Sequence, residues 1–142
     1  MTISRRGRDP YRVVAENYRE SEVLSATPTE LTVLLYEQLL ADLKAAAISL
    51  RSNQPEIARN KSQHASDVLL ELLNSLNFDL GGEVSERLDA IYRYMLSTVS
   101  KAVRAQNPAS LDHVSDLVDD LLDAWRTVRD RSKGMEMEVV GQ

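Results

Sequence analysis

The chain has 142 residues, enough for one domain with a sizeable core. Apolar residues make up 43%, but aromatics only 5%, with five glycines and four prolines; this favours helices packed through Leu and Ala over a turn-rich β fold. A net charge of −5 argues against nucleic acid or an anionic membrane as partner, and the lack of cysteine removes disulfides, thiol catalysis and cysteine metal sites.

Residues 1–9 are polar and basic and read as a disordered N-terminal tail. Arg5, Arg6 and Arg8 interrupt any signal-peptide core, and no apolar run approaches the roughly 18 residues of a membrane span, so no membrane insertion and a cytoplasmic setting are expected. Tyr11, Val14 and Tyr18 share one helical face. A lone helix this short needs something to pack on. It is either a fixed cap on the domain or a segment that a partner displaces.

The next helix is expected from about Pro28 to Arg51. Thr27 fits an N-cap, Pro28 the first helical position, and Glu30 completes a capping box. Wound at about 100° per residue, Leu31, Leu35, Leu39, Leu43, Ala46 and Leu50 form one apolar stripe. Val33, Tyr36, Leu40 and Ala47 form a second beside it. A helix this apolar must be covered on two sides. Either neighbouring helices cover both, or the second stripe is a groove for an amphipathic partner helix, with Leu70 and Leu73 contributing from the following helix.

A turn at Ser52 to Gln54 leads into a helix from about Pro55 to Asn77, with Ile57, Ala65, Val68, Leu69, Leu72, Leu73 and Leu76 inward. Phe78 to Gly82 reads as a break. A further helix spans about Glu83 to Gln106, with Val84, Leu88, Ile91, Tyr92, Met95, Val99, Ala102 and Val103 inward. Asn107 and Pro108 open the last helix, to about Arg131, with Leu111, Val114, Val118, Leu121, Leu122, Trp125 and Val128 inward. Residues 132–142 read as a flexible C-terminal tail. The pattern predicts an all-α fold: an antiparallel up-down four-helix bundle over residues 10–131, with a short N-terminal helix or capping segment.

Catalytic equipment is not visible. A di-metal carboxylate bundle needs Glu-x-x-His pairs, and Lys61 and Ser110 stand three residues before the two histidines, His64 and His113. Gly81-Gly82 alone is no phosphate loop, and no nucleophile motif is present. Neither an enzyme nor a cofactor is expected. Asp112, Asp116, Asp119 and Asp123 read as a solvated face.

Three segments carry a resemblance. Ala26-Thr27-Pro28-Thr29-Glu30-Leu31 through Leu34-Leu35-Tyr36 resembles the opening of the flagellar export chaperone FliS family. Leu76-Asn77-Phe78-Asp79-Leu80-Gly81-Gly82-Glu83, followed by Leu88-Asp89-Ala90-Ile91-Tyr92-Arg93-Tyr94-Met95, is similar to its central signature, and Leu121-Leu122-Asp123-Ala124-Trp125 to its end. Tyr11 and Tyr18 are also similar; Gln38 departs, standing where a small residue is expected. The resemblance implies a chaperone that covers the disordered, amphipathic C-terminal region of flagellin, prevents premature polymerisation and delivers it to the flagellar type III export gate. The contacts expected are Tyr11, Tyr18, Val33, Tyr36, Leu40, Ala47, Leu70 and Leu73, on a chain that is a monomer or weak homodimer when free. The competing reading is a self-associating structural bundle or adaptor.

Overall fold

A computed structural model describes residues 23–140. Four helices follow one another: α1 Pro28–Arg51, α2 Pro55–Asn74, α3 Phe78–Arg104 and α4 Pro108–Val140. Short corners join them, so each runs antiparallel to the one before. Helix α1 packs closely on α2 and on α4, while α3 completes the ring through sparser contacts with the same two helices. This is the all-α, antiparallel four-helix bundle that the periodicity predicts. The expected N-terminal tail and the Tyr11–Tyr18 segment lie outside the described residues.

Side-chain caps open three of the four helices. The Thr27 hydroxyl accepts from the Glu30 amide at 3.2 Å, and the Glu30 carboxylate accepts from the Thr27 amide at 2.9 Å, which completes the capping box. The Asn107 side chain accepts from the Ala109 amide at 3.1 Å and opens α4. Asn53, in the α1–α2 corner, has a positive φ of 59°, which Asn tolerates better than most residues.

The α2–α3 corner differs from the expected break. Helix α2 stops at Asn74, and Asn77 caps α3 by accepting from the Leu80 amide at 3.1 Å. The chain is therefore helical through Phe78 to Gly81, and the break is concentrated at Gly82, with φ 50° and ψ −122°. Only glycine holds that conformation without strain. Gly81 is required for a different reason. A Cβ there would stand 1.9 Å from the Ser85 hydroxyl, which donates to the Asn77 carbonyl at 3.0 Å.

The core holds Leu31, Leu35, Leu39, Leu43 and Ala46 of α1, Ala65, Val68, Leu69 and Leu72 of α2, Tyr92, Met95, Val99 and Ala102 of α3, and Leu111, Val114, Val118 and Leu122 of α4. Three expected core positions are corrected. Ile57 is exposed and Ala58 is buried in its place; Val84 is exposed and Ser85 is buried instead. The first two are phase shifts of one residue, Ile57 in the first turn of α2 and Val84 just beyond the bend at Gly82. Val128 is also exposed. Helix α4 runs on to Val140 rather than ending near Arg131, and Lys133 pairs with Glu30 at 3.0 Å, so the bundle extends beyond the expected boundary.

Candidate interaction surface

The second stripe of α1 decides what surface the bundle offers. Val33, Tyr36 and Ala47 are buried in the core. Tyr36 has no exposed surface: its ring packs edge-on against Tyr92 at a centroid distance of 6.4 Å and tilted against Trp125 at 6.2 Å. The Tyr36 and Tyr92 hydroxyls hydrogen-bond to each other at 2.6 Å, so neither polar tip is left unpaired. Burial pushes both phenols well above the usual tyrosine range, which keeps them neutral. The expected groove lined by Val33, Tyr36 and Ala47 is closed here. Neighbouring helices cover the first stripe and all of the second but Leu40, because α1 sits between α2 and α4 and reaches α3 through Tyr92.

The other expected contacts are placed differently. Leu40, Leu70 and Leu73 are half-buried, and Leu40 and Leu73 pack against the core from its edge. Tyr11 and Tyr18 lie outside the described residues. No single patch of the described residues joins all eight positions.

Apolar surface appears instead at the corner where the paired glycines predict a break. Leu80 is 88% exposed, with Val84 at 63% and Phe78 half-exposed on the same corner. Helix order puts Leu24 at this end of the bundle, and Ile48 and Ile57 at the other, beside the α1–α2 corner; all three are exposed. The signal for this corner lay in the Leu76–Glu83 segment, but glycine content argued for a loop rather than for a capped helical turn with its apolar side chains outward.

A buried polar group was missed altogether. Asp42 is only 2% exposed; it accepts from the Gln38 amide at 3.0 Å and pairs with the His64 Nδ1 of α2. Burial pushes the Asp42 carboxyl up, and the bonds from His64 and Gln38 oppose that shift. Gln38, the departure from the family pattern, thus supplies a donor to a carboxylate that needs one. Its i, i+4 spacing from Asp42 was readable, whereas the meeting of α1 with His64 was not.

The α1–α4 seam is bridged by Glu30–Lys133 at 3.0 Å, Glu37–Arg126 at 2.9 Å and Arg51–Asp112 at 2.6 Å. Glu30 is held below the usual carboxylate range, chiefly by the Thr27 amide and then by Lys133. His113 stacks edge-on against Tyr94 and shares a 3.0 Å hydrogen bond with its hydroxyl, a surface link between α3 and α4. Among the described residues no cluster of three or more His, Asp or Glu is arranged to hold a metal, and no helix is long and apolar enough to cross a membrane.

Comparison with known proteins adds one consistent relationship. Residues 11–132 match the family described as flagellar protein FliS, a span that holds the Tyr11–Tyr18 segment and nearly all of the bundle. The flagellar secretion chaperone FliS of Bacillus subtilis is 30% identical over 109 residues, covering 77% of this chain and 80% of that protein. The protein of the same name from Campylobacter jejuni is 27% identical over 111 residues, covering 78% and 87%. That from Vibrio cholerae is 21% identical over 106 residues, covering 75% and 78%.

Proposed function

Because this chain belongs to the FliS family of flagellar proteins, we propose that it is a flagellar export chaperone whose client is flagellin. The observation that carries this reading is the family match across residues 11–132. The client segment is the disordered, amphipathic C-terminal region, which the chaperone covers in the cytoplasm and hands to the export gate. It works by binding, not by catalysis.

The physics supports such a role. A disordered amphipathic segment can bury on the order of 1,000–3,000 Å² along a bundle, against an ordering cost of a few kcal/mol. The bundle supports this with a closed core and apolar side chains left at its surface. Leu40, Leu70 and Leu73, with Tyr11 and Tyr18, are the proposed contacts, and Leu80 and Val84 extend them. Val33, Tyr36 and Ala47 act as internal packing.

Calorimetric titration of the full chain with a peptide spanning roughly the last 40 residues of flagellin, a length suited to a wrapping segment, tests the reading. Binding near 1:1, with submicromolar Kd and a negative heat-capacity change, is expected. No binding to a soluble, monomeric peptide, together with a mass that rises with concentration, would transfer the assignment to a self-associating bundle.

A further inference from the structure

Between the first half of α2 and the last half of α3 lies a groove of about 230 Å³ that the apolar surfaces do not explain. Arg59 and Ser62 line it from α2, and Ser100 and Arg104 from α3, with Val99 and Val103 alongside. Its size suits one amino-acid side chain, being below the usual range for whole small-molecule ligands.

Ser62 makes this more than a gap between small residues. Several hydroxyls inside these helices turn back to the carbonyl four residues earlier: Thr32 bonds Pro28 at 3.0 Å, Ser49 bonds Ala45 at 2.8 Å, and Thr98 bonds Tyr94 at 2.8 Å. Ser62 is only 6% exposed, and its hydroxyl has no hydrogen-bond partner among the described residues. A buried hydroxyl without a partner is costly, and this one lines the groove. Both arginines have donors to spare. Among the described residues, Arg59 has only a 4.0 Å approach to the exposed Glu56, and Arg104 has no ion-pair partner. Two guanidiniums and a buried hydroxyl beside valine side chains suit a carboxylate carried on a short alkyl stem.

We infer that this groove binds the carboxylate of one Asp or Glu side chain on the client segment, with Arg104 and Ser62 donating to it and Arg59 closing the rim. The inference rests on the flagellin reading and adds a polar anchor to it. An apolar segment docked on hydrophobic surface alone can slide by a turn; one buried charge-assisted contact fixes its register.

The test uses the full chain and the same flagellin peptide, in native form and with its Asp and Glu replaced by Asn and Gln. Arg104→Gln is expected to weaken native-peptide binding about tenfold, the scale of one hydrogen bond to a charged group. Arg104→Lys recovers part of that loss, and Ser62→Ala weakens binding severalfold while the helical circular dichroism is unchanged. The amide peptide binds the unaltered chain about tenfold more weakly and loses nothing further on Arg104→Gln. If Arg104→Gln and Ser62→Ala both stay within twofold of the unaltered chain on the native peptide, the groove assignment is overturned while the flagellin reading stands. If the unaltered chain does not bind the native peptide, the flagellin reading falls, and this inference with it.

Discussion

The two sides of the bundle are built differently. On the α1 side, α1 lies close against α2 and α4, the aromatic trio Tyr36, Tyr92 and Trp125 fills the interior, and three ion pairs cross the α1–α4 seam. On the α3 side, contacts are sparser, a groove separates α2 from α3, and the corner carries a bent glycine and outward apolar side chains. The contrast separates two tasks that one fold must combine. Dense packing holds the core together, and under the proposed reading the loosely covered side leaves apolar and polar groups for a client. The exposed apolar side chains of the α2–α3 corner therefore lie where their exposure costs the core little.

The largest expected effect strikes the dense side. Tyr36→Asp places a carboxylate in the buried site against Tyr92 and Trp125, and should cost more than about 4 kcal/mol, enough to abolish cooperative thermal unfolding seen by circular dichroism. A folded, fully helical variant would show that the second stripe of α1 can open, and would restore the groove inferred from helical phase.

A smaller effect is expected at the corner. Gly81→Ala forces a Cβ onto the Ser85 hydroxyl and should cost about 1–3 kcal/mol, the range for overpacking. Combining it with Ser85→Gly should recover part of the loss in chemical denaturation. If the single variant is as stable as the original, the corner is softer than its glycines imply, and the contrast with the α1 side grows.

The smallest effect concerns pH at the α1–α2 contact. The Asp42 carboxyl is raised above its ordinary value of 3.8, so the folded chain holds this proton more tightly than the unfolded chain does. The group's contribution is fully present below that ordinary value and is lost as pH rises through the folded pKa. Asp42→Asn removes this dependence, so its stability relative to the unaltered chain should rise with pH across that window. Urea titrations at a series of pH values measure it. A relative stability that instead falls with pH would mean that the bonds from His64 and Gln38 outweigh burial.

Legibility from sequence follows the range of the forces involved. Thr27, Pro28 and Glu30 announce α1 because capping is settled within four residues. The apolar stripes of α1 were readable as stripes, but their width says nothing about which neighbour covers them. Asn77 was obscured because glycine is both a helix breaker and the only residue that fits beside Ser85. Ile57 and Val84 each stand one residue out of phase with the apolar stripe, since periodicity over a whole helix does not resolve its first turn or a bend such as that at Gly82. The Asp42–His64 contact and the Arg59–Arg104 groove depend on how separate helices meet, and no local pattern encodes that.

The three bridges across the α1–α4 seam share a spacing. From Glu30 to Glu37 is seven residues, matched by seven from Lys133 back to Arg126; from Glu37 to Arg51 is fourteen, matched by fourteen from Arg126 back to Asp112. A straight helix drifts by about 20° per seven residues, so three pairs at this spacing favour a gentle left-handed coiling of α1 and α4 around one another. A single inserted residue would rotate everything beyond it by about 100° and part the remaining pairs. Insertions and deletions among relatives should therefore fall in the corners and at the chain ends, while α1 and the facing stretch of α4 keep a constant length.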